Sequence, residues 1–166
     1  MTQKQLLALV RKIINDEQAT GFTEGGNLEE PEGTQELLYY LDRAVDEYSK
    51  QQVSLNNIRF IKRMTVSNGA RLPDDFIKFC GEFPVSVEGG LISYYGTVAN
   101  MPVKYFARLP YVTSYGENAP LPYPREDEMK IAALAAIYAL NKQEFNVSQD
   151  AALLGFGAMP NANTDK

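Results

Sequence analysis

The residues best suited to acid–base chemistry are two runs of carboxylates, Asp74-Asp75 and Glu126-Asp127-Glu128. Paired carboxylic groups act as general acid and base only when burial or a neighbouring charge raises the pKa of one of them. Both runs stand where a helix is predicted to begin, and the helix dipole stabilises acids there without any catalytic role. The sequence contains no histidine. We therefore predict that the protein is not an enzyme and has no catalytic residues.

Metal and cofactor sites are not predicted either. Cys80 is the single cysteine, which excludes an internal disulfide and a multi-cysteine metal site, and its aromatic neighbours favour a buried thiol. The glycine pairs Gly25-Gly26 and Gly89-Gly90 lack the spacing of a phosphate loop. An acidic loop lacks the Asp-x-Asp-x-Asp-Gly pattern of a calcium site, so we interpret it as solvated; its acids are Glu24, Glu29, Glu30 and Glu32.

A protein-binding surface is the remaining kind of site, and tyrosine is its main signal. Tyrosine combines a large contact area with a polar tip and is enriched at protein interfaces. Covering a small sheet is the alternative explanation for the same side chains. The candidate partner-contact residues are Tyr94, Tyr95, Tyr105, Tyr111, Tyr115, Tyr123, Phe156 and Met159.

Basic residues near Phe60 form a second candidate surface, made of Arg59, Lys62, Arg63 and Lys78. The whole chain has a net charge of −5 and a pI near 4.8. Binding to nucleic acid without sequence preference depends on many Lys and Arg contacts to phosphates. We therefore expect an acidic protein surface, rather than a nucleic acid, as the partner of this patch.

No apolar run approaches the ~18 residues of a transmembrane helix. The N-terminal segment carries charges within an amphipathic stretch, unlike a signal peptide. We expect synthesis in a reducing cytoplasm and no membrane contact.

Hydrophobic periodicity predicts helices at about 2–18, 34–53, 125–141 and 148–154. Thr34 is the expected N-cap of the second helix. A β-rich insert at about 57–123 is predicted to contain a hairpin across Gly89-Gly90, a third strand at 103–109 and a short helix after Pro73. The expected fold is α+β and mainly helical: a small bundle of three or four helices with an inserted short β-hairpin or sheet region. Residues 1–155 are predicted to form a single domain, and 156–166 a flexible C-terminal tail.

The order of these segments resembles that of the head–tail connector (adaptor) proteins of tailed phages, especially short-tailed ones. The helix that reads Glu-Leu-Leu-Tyr-Tyr-Leu-Asp-Arg-Ala-Val-Asp-Glu-Tyr from Glu36 resembles the family's leucine–asparagine/aspartate–x–alanine helix. The later Leu72-Pro-Asp-Asp-Phe resembles the family's leucine–proline–x–aspartate–phenylalanine step. A short β excursion, Leu121-Pro-Tyr-Pro-Arg-Glu-Asp-Glu and an alanine-rich helix complete the order. The resemblance covers roughly residues 1–155.

The resemblance implies a structural virion protein at the head–tail junction. Copies would form a ring, commonly a dodecamer, that docks on the portal protein, receives tail or nozzle proteins and lets DNA pass without binding it specifically. A net-acidic chain suits this role because a lysine-lined channel would retain the phosphates. The segment after Leu154 is then a candidate arm that gains structure on the portal.

Two other interpretations stay open. In the first, the chain is another connector, such as a stopper or tail-completion protein, although those proteins tend to be smaller and richer in strands. From a different class, it is a soluble protein- or peptide-binding module unrelated to virions, which predicts a stable monomer with a defined groove.

Overall fold

Three helices and six strands make up the part of the chain that the structure describes. The computed structural model describes residues 1–14, 33–94 and 99–141. The helices are α1 (Gln3–Ile13), α2 (Thr34–Ser54) and α3 (Arg125–Asn141). The strands are β1 (Ile61–Val66), β2 (Ala70–Arg71), β3 (Phe76–Phe79), β4 (Val85–Glu88), β5 (Leu91–Tyr94) and β6 (Met101–Ala107).

The expected mainly helical bundle is wrong. The strands form two antiparallel three-stranded sheets, ordered β1-β6-β3 and β2-β5-β4. A second core is formed by residues of both sheets, Val66 and Val103 of the first and Ile92 and Tyr94 of the second. The fold is therefore α+β, and its strands form a substantial β portion with an apolar core. The strands are more than a short insert in a helical bundle. The predicted helix at 148–154 and the tail at 156–166 lie outside the described residues.

The helices form because each carries an apolar face that packs on the others. Leu6 and Val10 of α1 and Leu41 and Val45 of α2 are fully buried. The inner face of α3 is small and is made largely of Ala132, Ala135 and Ala136, which lets the helices approach closely. None of the described helices is long and apolar enough to cross a membrane.

The starts of α1 and α2 are fixed in different ways. Thr2 caps α1, and Gln5 completes a reciprocal capping box with it. Thr34 is not the N-cap that the sequence predicts: Gly33, with φ of 90°, occupies that position. The hydroxyl of Thr34 instead accepts a hydrogen bond from Arg11 of α1 at 2.7 Å, so it ties two helices together.

The sheets follow from turn chemistry and from strand composition. The predicted hairpin is present as β4 and β5, joined by Gly89 and Gly90, which both have positive φ as a tight two-residue turn requires. The predicted third strand is β6, the central strand of the first sheet. The helix predicted after Pro73 is wrong, because Phe76–Phe79 pairs with β6 as β3. Its aromatic and β-branched residues favour a strand once a partner strand is available.

Close packing of α3 gives a direct test of the helical core. Ala135 is fully buried, whereas Ala133 on the same helix is exposed. We expect Ala135→Leu to lower the free energy of unfolding by about 2 kcal/mol through overpacking. Ala133→Leu is the control and should change it by less than about 0.5 kcal/mol. Urea unfolding measures both, and equal effects would contradict this packing.

Candidate partner-binding surface

The acids at the start of α3 are buried, which the sequence analysis missed. Asp127 and Glu128 are each 2% exposed. One carboxylate oxygen of Asp127 accepts a hydrogen bond from the Tyr48 hydroxyl at 2.7 Å, and the other accepts one from Arg59 at 2.7 Å. Glu128 accepts a hydrogen bond from the N-terminal ammonium of Met1. The expectation that the helix dipole alone accounts for these acids is therefore wrong.

The Asp127 cluster joins elements and does not resemble an acid–base pair. Burial, followed by the hydrogen bond to Asp127, raises the pKa of Tyr48 well above its ordinary value, so the phenol remains a donor. Both oxygens of Asp127 are engaged by groups of the same chain. The cluster thus holds α2, the chain before β1 and the start of α3 together.

The second carboxylate run is used in the same way. Asp75 accepts hydrogen bonds from Lys62 at 2.5 Å and from the Tyr105 hydroxyl at 3.1 Å. These contacts tie the turn before β3 to β1 and β6. Across residues 1–14, 33–94 and 99–141, no cluster of three or more potential metal ligands is found. The predicted acidic loop, with Glu24, Glu29, Glu30 and Glu32, lies outside those ranges.

The predicted tyrosines lie mostly inside the subunit. Tyr94, Tyr105 and Tyr123 are buried, and Tyr111 and Tyr115 are partly buried against the main core. The Tyr123 hydroxyl donates to the carbonyl of Pro110, and the Arg108 guanidinium lies 3.5 Å from the centroid of the Tyr111 ring. The remaining candidates, Tyr95, Phe156 and Met159, fall outside the described residues. A partner-binding role for the eight residues stays a prediction.

An exposed apolar stripe on α3 is a candidate surface that the sequence analysis did not single out. Met129, Ile137 and Leu140 are 46%, 49% and 57% exposed, and the exposed Ala133 lies between them. These four residues, the α3 stripe, follow helical spacing over roughly 17 Å of helix. The stripe could have been predicted from the sequence, because apolar residues occur on every side of α3, and burying one face of such a helix leaves another apolar face exposed.

The predicted basic patch is divided in the structure. Arg59 is paired with Asp127, and Lys62 with Asp75. Arg63 and Lys78 remain exposed, and the exposed Lys104 lies on the strand between theirs. We call Arg63, Lys78 and Lys104 the basic row. Lys104 was missed because only the strand order brings it beside the other two.

Removing the carboxylate of Asp127 tests the joint between helices and sheets. We expect Asp127→Ala to lower the free energy of unfolding by about 3 kcal/mol, because the buried Tyr48 hydroxyl and Arg59 lose their acceptor. The control is Glu126→Ala in the same helical turn, where the side chain is exposed and the loss should stay below about 1 kcal/mol. Chemical denaturation followed by circular dichroism provides the comparison, and similar losses in the two variants would refute the joint.

The Tyr105–Asp75 contact predicts a pH dependence. Burial, with the neighbouring Asp75 carboxylate, raises the pKa of Tyr105 to about 12, against about 10 in an unfolded chain. The unfolded state therefore loses this proton first, so the stabilising contribution is complete below pH ~10 and disappears between pH ~10 and ~12. Tyr105→Phe should show a shallower fall of the unfolding free energy over that window. An unchanged slope in this variant would argue against the assignment.

No protein-family model matches the chain, and no curated protein or solved structure shows a significant match to it.

Proposed function

We propose that the protein is a structural virion component, a head–tail adaptor whose copies form a ring beneath the portal protein. In this role the ring joins the capsid to the tail or nozzle proteins and lets DNA pass. The observation that carries the proposal is the α3 stripe. Large apolar side chains aligned on one exposed helix face are typical of surfaces that become buried against another protein.

A ring needs two different surfaces on each subunit, because the contact between neighbours is heterologous. A second exposed apolar site is available beyond the end of α2, where Leu55 and Ile58 are 69% and 78% exposed. The Arg59–Asp127 contact places Ile58 near the start of α3. Ile137 and Leu140 lie at the opposite end of that helix, roughly 15–20 Å away. Two separated apolar sites support head-to-tail association.

Acid–base catalysis is a weaker account of the same chain. The described acids with the strongest claim to chemistry, Asp75 and Asp127, each accept hydrogen bonds from two side chains of the subunit. A net charge of −5 also suits passage of DNA without retention, because few cations are available to replace phosphate counterions. Both points support an assembly role over an enzymatic one.

Electron microscopy of the tagged protein, purified from cells that produce the virus, tests the proposal. Rings of this chain attached to portal or tail pieces are the expected result. A monomer bound to no virion component would overturn the adaptor proposal and favour the peptide-binding alternative.

A charge-matched pair of variants tests whether the α3 stripe is used. We expect Ile137→Glu with Leu140→Glu to reduce ring formation at least about tenfold, because burying two carboxylates at an apolar contact is costly. The control, Gln35→Glu with Gln51→Glu, adds the same charge at exposed positions of α2 and should assemble normally. Native mass spectrometry measures the ring fraction, and circular dichroism checks that both variants are folded. Normal assembly of the α3 variant would remove the stripe from the proposal.

A further inference from the structure

The basic row lies on one face of the first sheet. Arg63 of β1 is directly opposite Lys104 of β6, and Lys78 of β3 is paired with Phe106, two residues along β6. Paired residues share a face, and residues two apart on one strand do so as well. The three cations therefore lie side by side across three neighbouring strands, and all three are exposed.

This arrangement has an energetic cost within the subunit. Like charges directly opposite each other in a sheet are destabilising, and Arg63 with Lys104 is such a pair. The neighbouring bases differ, because Arg59 and Lys62 each form a salt bridge with a carboxylate of the same chain. Within the described ranges, no ion pair is found for any member of the basic row. Among the residues that the structure describes, the nearby cations are neutralised and these three have no acidic partner.

The opposite face of the sheet is already occupied. Met64 of β1 and Val103 of β6 are directly paired and pack into the second core. The Lys78 ammonium lies 5.2 Å from the centroid of the Phe106 ring, which holds one end of the row against the sheet. The face that carries the basic row also carries Ile61 and Phe106, which pack into the core formed with the helices. The three cations remain exposed beside them.

We propose that the basic row binds a carboxylate-rich segment of another protein. Glutamate and aspartate side chains would pair with the three cations, and the Arg63 guanidinium would provide a planar fork for one carboxylate. The row supplies only three cations, and the chain around it has a net charge of −5. An extended polyanion such as DNA would bring many phosphates against that acidic surface. A short acidic segment delivers its charges locally, so it fits the row better.

This proposal goes beyond the adaptor role and can be tested on the purified chain alone. The probe is fluorescein-labelled poly-L-glutamate of about 15 residues, with a 15-nucleotide single-stranded DNA for comparison. The test variant carries Arg63→Gln, Lys78→Gln and Lys104→Gln. The matched control carries Arg71→Gln, Lys4→Gln and Lys12→Gln, which removes one exposed Arg and two exposed Lys elsewhere. Fluorescence anisotropy at low and at near-physiological salt gives the affinities.

We expect the unaltered protein and the control to bind poly-L-glutamate with affinities within about twofold of each other. The test variant should bind at least about tenfold more weakly, because three exposed ion pairs are lost, and the binding should weaken with added salt. The urea midpoint of the test variant should stay equal or rise, since the substitutions relieve like-charge repulsion. Absence of binding by the unaltered protein, equal loss in the control, or tighter binding of the DNA would overturn the proposal. A lower urea midpoint would assign the row a structural role instead.

Discussion

The buried carboxylate of Asp127 is the contact on which the arrangement of helices and sheets depends. It lies in the first turn of α3 and accepts hydrogen bonds from Tyr48 of α2 and from Arg59 just before β1. A buried carboxylate is costly unless both oxygens are satisfied, and here two donors from different parts of the chain satisfy them. The position of β1 relative to the helix pair is thereby coupled to the direction of α3. Since β1 pairs with β6, and β6 with β3, the joint also positions the first sheet.

The pairing of acids with bases inside the subunit also determines which basic side chains remain exposed without a partner among the described residues. Asp127 uses Arg59, and Asp75 uses Lys62 together with the Tyr105 hydroxyl. These internal pairs take half of the basic patch that the sequence suggests. The strand order then brings Lys104 between the two remaining bases. The basic row is therefore a consequence of how the subunit distributes its acids, and it exists only in the folded chain.

The sequence predicts the parts of the fold that depend on local signals. The apolar periodicity of α2 and α3 and the Gly89-Gly90 turn are such signals, and the corresponding elements are present. The strand at Phe76–Phe79 was not predictable in this way, because its conformation is decided by pairing with β6, nearly thirty residues later. The burial of Asp127 could not be predicted from local sequence for the same reason, because its partners Tyr48 and Arg59 are 79 and 68 residues away in sequence. Of the candidate surfaces, two bases of the row were identifiable, whereas Lys104 required the register.

Helix α3 reverses the usual distribution of side-chain size, and this reversal bears on function. Its buried face is largely alanine, and larger residues such as Ile137 and Leu140 lie outside. Small residues inside allow α2 and α3 to approach closely, but they bury little apolar area. Fully burying an Ile or Leu side chain contributes about 1.5–3 kcal/mol, and the isolated subunit forgoes part of that at each exposed position. The free energy becomes available only when another surface covers the α3 stripe. A subunit built in this way would gain stability by association, which is the property that the proposed assembly role requires.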